Sequence, residues 1–410
     1  MGKIARISLR YDTASARIIG IDLIAAPAPV SLFSPTPTST GAWLTVIDSD
    51  GNEIFHKPLP DPFVGGEVLD ESGAMKRLKE RRTPHFASVE APWPGPRSRI
   101  VVHAREVAPR WDRAVSATPT SEIATLPFEP RQEPTADPSL VGLVGKSAKA
   151  FPVTIDSRWG HDNPKALHLV FMPEGFLASE MTLFHKQVDI VAKLFEQTRP
   201  YSNLLRALKI ARIEIPSEVN NIGNSAGRTF FKARFTSEGI TRVIEIDQTI
   251  ASETISNYFR SQSARGLVVA NTTTYGGSGC AAAVFSCEPR WSPHIAIHEL
   301  GHSHFGLADE YSEAGQAATK DPVEPNVCAD FTRARLKWAN LVSADIPLPT
   351  WSAGDPDPSD ARIGAYEGGK YQVNGIWRPA FNCKMRHVET PEFCAVCQDI
   401  ITRTLQVYLG

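Results

Sequence analysis

The rest of the chain is organised around SPHIAIHELGHSHFGLADEY, residues 292–311. This segment contains an H-E-x-x-H motif, in which His298 and His302 lie one helical turn apart and project from the same face of a helix. Because imidazole nitrogen is a preferred zinc ligand, this spacing predicts one zinc ion held by both rings. Glu299 follows the first histidine, about a quarter turn around the helix, and is the predicted general base.

The ends of this helix are also indicated by the sequence. Ser292 is a suitable N-cap, and Pro293 suits the first helical position. Gly306 is the expected stop, since glycine adopts the left-handed conformation that turns a chain back after a helix. Gly301 lies inside the predicted helix, where glycine is unfavourable by about 1 kcal/mol relative to alanine, so we expect it to allow a close backbone approach.

The third metal ligand is expected after the turn at Gly306. Asp309 and Glu310 both follow, and a carboxylate oxygen from either residue can ligate zinc. Asp309 is favoured, and the alternative remains open at this stage. His304 lies on roughly the opposite side of the helix from His302. His294 lies one turn before His298, where a metal would have to bridge three successive turns, so hydrogen-bonding or solvent-facing roles are expected for both.

Length and composition exclude several classes of function. A chain of 410 residues with 42% hydrophobic and 21% charged residues is typical of a soluble globular protein of two or three domains. A net charge of −2 gives no general attraction to nucleic acid or to anionic membranes. No apolar stretch reaches the roughly 18 residues of a membrane span, and the N-terminus does not resemble a signal peptide.

The remaining sequence predicts a multidomain α+β fold. Residues 1–126 read as short strands that suit a β-sandwich, with Asp50-Gly51 as a hairpin turn. A proline-rich linker is predicted over residues 127–152. Residues 153–410 show strands alternating with helices, which indicates a mixed sheet that carries the zinc helix. Before that helix, the glycine-rich segment Tyr275–Cys280 is expected either to let a substrate backbone come close or to form a plain flexible hairpin.

All six cysteines lie in the last third of the chain, and three interpretations of them remain open. Three disulfides are possible, and so are free thiols in a reducing compartment. The third interpretation is a structural zinc site with four cysteine ligands. Its ligands would be Cys328, Cys383, Cys394 and Cys397.

The chain resembles the immunoglobulin A peptidase family of zinc metallopeptidases. The resemblance is carried by HELGHSHFGLADEY (298–311), TYGGSG (274–279), YEGGKYQVNGIWRPAFNCKMRH (366–387) and FCAVC (393–397), with RYDTASA (10–16) in the N-terminal part. It implies an N-terminal β domain followed by a metzincin-like α/β zinc peptidase domain. It also implies that Met385 forms a methionine floor beneath the zinc ion. With the cysteine clustering, it suggests a secreted or cell-envelope protein.

The sequence departs from the best-known metzincin pattern, H-E-x-x-H-x-x-G-x-x-H. Gly306 stands one place later than the glycine of that pattern, and Asp309 replaces its third histidine. Gly306, Glu310, Tyr311 and Met385 are predicted to support the site.

The predicted function is zinc-dependent endopeptidase activity on a protein or peptide, in which Glu299 activates a water molecule. Tyr311, Tyr366 and Tyr371 are candidate donors to the oxyanion. One alternative is a zinc amidase or deacylase acting on a non-protein amide. Another is a binding protein with a vestigial zinc site. No nucleic-acid partner is predicted, the oligomeric state is not indicated, and the family name does not establish immunoglobulin as a substrate.

Overall fold

The computed structural model describes residues 3–36, 39–62, 67–69, 75–77, 84–105, 122–130, 151–223, 228–235, 243–287, 290–312, 320–350 and 360–410. These residues form a mixed α+β fold, as predicted. No helix in this described part of the chain is both long and apolar enough to cross a membrane.

The N-terminal part of the chain is made of strands. They are β1 (Lys3–Tyr11), β2 (Ala16–Ala25), β3 (Gly41–Ile47), β4 (Glu53–Leu59), β5 (Glu67–Leu69), β6 (Met75–Arg77), β7 (His85–Pro92), β8 (Arg99–Arg105) and β9 (Glu122–Pro127). One antiparallel sheet has the order β2-β1-β7, another has the order β4-β3-β8-β9, and β5 pairs with β6. The predicted hairpin at Asp50-Gly51 is confirmed between β3 and β4.

A single hydrophobic core joins the two larger N-terminal sheets. Ile7 and Leu9 of β1 contribute to the same cluster as Leu44 and Val46 of β3. All four side chains are completely buried. Alternating apolar residues along each strand turn one face of each sheet inward, and burial of these faces stabilises this part of the chain.

The second part of the chain contains a six-stranded mixed sheet. Its strands are β10 (Val153–Ile155), β11 (Leu167–Glu174), β12 (Leu208–Ile213), β15 (Ala264–Ala270), β16 (Gly277–Ser278) and β17 (Ala282–Ser286), in the order β10-β12-β11-β15-β17-β16. The four central strands are parallel, and β10 and β16 run antiparallel at the edges. Two further pairs are β13 (Arg234–Phe235) with β14 (Ile244–Glu245) and β18 (Tyr366–Gly369) with β19 (Gln372–Arg378).

Helices cover both faces of this sheet. The α-helices of the described residues are α1 (Met181–Gln197), α2 (Gln248–Tyr258), α3 (Ser292–Ser303) and α4 (Ala395–Leu405). Short 3₁₀ helices span Ala178–Glu180, Tyr201–Asn203, Leu205–Ala207, Ala339–Leu341 and Gln406–Tyr408. Alternate residues of β11 point to opposite sides, so that Leu169 packs with α1, α3 and α4 while Val170 packs with α2.

Buried polar contacts connect the N-terminal strands to the second part of the chain. Glu90 of β7 pairs with Arg265 of β15 at 3.1 Å and accepts a hydrogen bond from Ser263. The Arg6 guanidinium of β1 donates to the carbonyl of Phe259 at 3.1 Å. Because these groups are shielded from solvent, their pairing fixes where the N-terminal strands lie relative to the mixed sheet.

Two predicted boundaries need correction, and one falls outside the described residues. Ser292 is the first helical residue of α3 rather than its N-cap, since its hydroxyl is hydrogen-bonded to Ser286 at 2.9 Å. The helix ends at Ser303, before Gly306. The chain already reverses there, because the N–H groups of Gly306 and Leu307 donate to carbonyls of the last helical turn. Within the predicted linker, residues 131–150 lie outside the described part of the chain.

Candidate metal centre

Helix α3 packs against β17 and β16, at one edge of the mixed sheet. Ile295, Ile297 and Leu300 are buried in the core that the helix shares with the sheet. The hydrogen bond between Ser286 and Ser292 joins the end of β17 to the start of the helix. The motif histidines are therefore carried on a helix whose apolar residues are fixed by packing.

The chain reverses direction directly after α3. Gly306 has a φ of +68°, a left-handed conformation that glycine adopts without a steric cost. Its N–H donates to the carbonyl of His302 at 3.2 Å, and the N–H of Leu307 donates to the carbonyl of Gly301 at 3.1 Å. This reversal returns residues 307–310 toward the helix face that carries the histidines.

The reversal brings His298, His302 and Asp309 together. The Nε2 atoms of His298 and His302 are 3.1 Å apart. The Oδ1 atom of Asp309 lies 3.2 Å from the His298 Nε2 atom and 3.4 Å from the His302 Nε2 atom. His298 and Asp309 are buried, whereas the His302 side chain is 17% exposed. These are the three residues whose side chains the sequence analysis predicts as metal ligands.

Backbone carbonyls orient both imidazole rings. The Nδ1 atom of His298 lies 3.0 Å from the carbonyl oxygen of Lys384, and that of His302 lies 2.7 Å from the carbonyl oxygen of Leu307. A carbonyl only accepts hydrogen bonds, so each ring carries its proton on Nδ1 and presents an Nε2 lone pair. Two lone pairs and a carboxylate oxygen that face one another at these distances fit a cation with bonds of about 2.0–2.2 Å.

A tyrosine fixes the second oxygen of the Asp309 carboxylate. The Tyr371 hydroxyl donates to Asp309 Oδ2 at 2.6 Å, which leaves Oδ1 directed at the two histidines. Lys370 and Tyr371 have φ values of +44° and +66°, and the N–H of Lys370 donates to the carbonyl of Asp309 at 2.8 Å. Left-handed backbone at two successive non-glycine residues is costly and is typical of functional sites. The sequence analysis considered Tyr371 only as an oxyanion donor and missed this contact.

Glu299 lies beside the candidate metal site, in a buried environment. Its carboxylate is packed so closely against Gly279 that a Cβ atom at position 279 would overlap it. The predicted close approach at the glycine-rich segment therefore involves a side chain of this protein. Burial raises the pKa of the Glu299 carboxyl above its ordinary value, while His302 and His298 act in the opposite direction.

Both parts of the chain line a cavity in front of these residues. Its volume is about 330 Å³, and Glu299, His302 and Asp309 form its floor. Pro58 and Phe86 of the N-terminal strands also line it. Sequence analysis did not predict this contribution, because it depends on how two separately folded sheets are docked.

Met385 lies beneath α3 on the side away from the cavity. It is completely buried, and a Cβ atom added to Gly301 would lie 2.8 Å from its sulfur. Gly301 thus allows the close approach that the sequence predicts, with Met385 as the neighbour. The carbonyl of Met385 accepts a hydrogen bond from the N–H of Glu310 at 2.7 Å, which connects this turn to the third ligand.

The other predicted residues occupy different positions. His304 accepts a hydrogen bond from Arg265 at 2.9 Å, and His294 lies 3.2 Å from the Lys384 ammonium group. The Tyr311 ring contacts the Tyr371 ring edge to face, with the centroids 5.2 Å apart. The Tyr366 hydroxyl donates to the carbonyl of Arg362. Of the three candidate oxyanion donors, only Tyr371 lines the cavity.

Glu310 is directed away from the histidines. Its carboxylate joins a buried group with the thiols of Cys383, Cys394 and Cys397. No disulfide joins any of the six cysteines, all of which lie in the described part of the chain, so the disulfide interpretation is not supported. Cys328 lies apart from this group, with its sulfur 3.7 Å from the carbonyl oxygen of Arg335. Of the four cysteines in the structural-zinc interpretation, Cys383, Cys394 and Cys397 therefore lie together, with Glu310 in the place expected for Cys328.

Comparison with known families now identifies the relatives of this chain. The sequence profile of the IgA peptidase M64 family matches residues 158–356 and 353–405. The chain belongs to this family. The matched region carries the three clustered side chains, Glu299, Met385 and the cysteine group, whereas the N-terminal residues that line the cavity lie outside it. No curated protein sequence matches the chain.

Proposed function

We propose that this M64 family member is a zinc-dependent endopeptidase. One observation carries the proposal: the Nε2 atoms of His298 and His302 and the Oδ1 atom of Asp309 converge within 3.1–3.4 Å of one another. They converge at the floor of a cavity. Membership of a peptidase family supports hydrolysis of a peptide bond as the reaction.

The three converging atoms would hold the metal ion. Zn²⁺ bound there would polarise the scissile carbonyl and lower the pKa of a water molecule toward roughly 7. The carbonyls of Lys384 and Leu307 keep the imidazoles in the tautomer that binds a metal, and Tyr371 keeps the Asp309 carboxylate in place.

Glu299 supplies the proton transfers. Its carboxylate accepts a proton from the attacking water and then delivers that proton to the nitrogen of the leaving amine. Gly279 leaves room for the carboxylate at this position. Because burial raises the pKa of the Glu299 carboxyl, this group can hold the proton between the two transfers.

We further propose the domain organisation behind this activity. The shared core of the two N-terminal sheets supports a β-sandwich over residues 1–126. The mixed sheet with α3, the turn at Gly306 and the buried Met385 supports a metzincin-like catalytic domain over residues 153–410, joined to the first domain by a linker over 127–152. Because N-terminal residues line the cavity, the first domain would take part in substrate binding.

Digestion of a peptide library and of a panel of denatured proteins tests the proposal, with zinc content measured on the same sample. We expect cleavage within peptide chains, loss of cleavage with a chelator and recovery on addition of Zn²⁺. His298→Ala should lose both the metal at this site and the activity.

Three results would contradict the proposal. Cleavage of small acyl amides without cleavage of any peptide would favour an amidase or deacylase. Stoichiometric zinc without hydrolysis of either substrate class would favour a binding protein. Chelator-resistant cleavage that persists in His298→Ala would exclude this site as the catalytic centre.

A further inference from the structure

A second group of potential metal ligands lies behind the candidate catalytic site. One ligand atom each from Glu310, Cys383, Cys394 and Cys397 can be chosen so that all lie within 4.8 Å of one another. Glu310, Cys383 and Cys397 are completely buried, and Cys394 is 7% exposed. Three thiols and a carboxylate so enclosed are a donor set of the kind that holds structural zinc.

Only one of the two oxygens of the Glu310 carboxylate has hydrogen-bond partners within the described part of the chain. Its Oε1 atom accepts from the Asn326 amide at 3.0 Å and from the Cys397 thiol at 3.1 Å. Its Oε2 atom, also buried, has no hydrogen-bond partner among the described residues. A buried carboxylate oxygen without a partner carries a large desolvation cost, which a cation at this position would offset.

The backbone around the cysteines suits sulfur ligands that carry negative charge. Cys383 Sγ accepts hydrogen bonds from the N–H groups of Met385 at 3.5 Å and Cys394 at 3.3 Å. Cys394 is the N-cap of α4, and Cys397 lies in its first turn. Both sulfurs thus lie at the N-terminal end of the helix, the end that stabilises the negative charge of metal-bound thiolates.

We propose that Glu310, Cys383, Cys394 and Cys397 bind a second, structural Zn²⁺ ion. In a tetrahedral site with Zn–S bonds of about 2.3 Å, neighbouring sulfurs are separated by roughly 3.8 Å, so the observed group needs only a small contraction. Binding displaces the thiol protons and leaves a complex with two negative charges. Arg378 and Arg386 lie within electrostatic range of Glu310 and balance that charge.

This ion would hold together three segments, two of which contact the first site. Glu310 directly follows Asp309 in the chain. Cys383 precedes Lys384, whose carbonyl orients His298, and Met385, which packs beneath α3. Cys394 and Cys397 fix the start of α4 to the same point. A disulfide could join only two of these sulfurs and would leave Glu310 without a counter-ion.

Zinc analysis of the full-length protein tests this proposal without relying on peptidase activity. We expect two Zn²⁺ per chain and a Zn–S contribution at about 2.3 Å in X-ray absorption spectra. The double variant H298A/H302A should keep one Zn²⁺, with sulfur as its dominant ligand. Since the proposed catalytic site contains no sulfur, this signal separates failure of one site from failure of the other.

Cysteine variants provide the complementary test. The double variant C394S/C397S should lose one Zn²⁺ and all Zn–S scattering. Cys287→Ser removes another buried cysteine, outside the group, and should keep both ions. If the double cysteine variant does not fold, the spectra of the wild type and of H298A/H302A still decide the question. A single Zn²⁺ without sulfur ligands, or a disulfide among the three cysteines in intact-mass analysis, would overturn the proposal.

Discussion

Two adjacent residues, Asp309 and Glu310, extend their carboxylates into two different groups of potential ligands. Asp309 joins two histidines at the floor of a cavity, where the side chain of His302 is partly exposed. Glu310 joins three cysteines that are closed off from solvent. Catalytic zinc sites keep one position open for water, whereas structural sites are closed on all sides. We refer to the first group as the open site and the second as the closed site.

Replacing Glu299 and Glu310, each by glutamine, is the strongest test of the difference between the open site and the closed site. Glu299→Gln should lower turnover by about 10²–10⁴-fold, because it removes the general base and keeps the shape of the side chain. Zinc content and the free energy of unfolding should stay unchanged. Peptide-cleavage kinetics, zinc analysis and urea unfolding measure the three quantities.

Glu310→Gln is the matched control for that experiment. It should reduce the zinc content of the closed site and the stability of the protein, while the proton-transfer chemistry of the remaining folded molecules is retained. If Glu299→Gln cleaves peptides at the wild-type rate, the assignment of the general base is wrong. If both variants lose zinc equally, the distinction between the two sites is wrong.

The open site differs from the closed site in its dependence on the N-terminal strands. Lys370 is buried and contacts Asp61 and Glu324, each at 2.9 Å. Asp61→Asn should reduce the unfolding free energy by about 1.5–3 kcal/mol, because a hydrogen bond to a buried charge is weakened. Since Asp61 and Lys370 line the cavity, KM for peptides should rise. The Zn–S signal of the closed site should be unaffected; its loss would show that the two sites do not respond separately.

A smaller effect is expected from Tyr371→Phe, which acts on the open site alone. The variant loses the 2.6 Å hydrogen bond to Asp309, and groups that orient metal ligands typically contribute 10–100-fold to metal affinity. Competition with a chelator should therefore remove zinc from the open site about 10–100-fold more readily. The closed site should retain its ion under the same conditions. Unchanged zinc affinity, with a loss of turnover only, would indicate instead that Tyr371 acts on the substrate.

The open site was more predictable from sequence than the closed site, for a physical reason. His298, Glu299 and His302 belong to one helix, so helical geometry alone sets their arrangement. Asp309 required one further step, the turn at Gly306. Cys383 and Glu310 are 73 positions apart and meet only after the chain has folded, so the sequence suggested Cys328 in the place that Glu310 occupies.

The fold shows the same limit. The alternation of apolar residues in β1 and β3 predicted strands, because their periodicity is local. The contacts of Glu90 with Arg265 and of Lys370 with Asp61 depend on how two sheets dock, which no local pattern specifies. The wall of the cavity formed by Pro58 and Phe86 was missed for the same reason.

Met385 lies between the two sites, and its substitution should give the smallest effect. Its side chain packs beneath Gly301, whereas its backbone N–H donates to Cys383 and its carbonyl accepts from Glu310. Met385→Leu keeps a similar apolar volume and the whole backbone, so the unfolding free energy should fall by less than about 1.5 kcal/mol. Both zinc ions should remain, because the backbone connects the sites and the thioether only fills space.

Gly301→Ala provides the counterpart on the helix side. The added methyl group would lie 2.8 Å from the Met385 sulfur, so this contact opposes the gain of about 1 kcal/mol in helix propensity. Combining it with Met385→Ala should relieve the overlap, and urea unfolding of the single and double variants would give a favourable coupling energy. If Met385→Leu loses zinc from the open site while its backbone contacts persist, then the thioether has an electronic role, and packing does not account for its position beneath the helix.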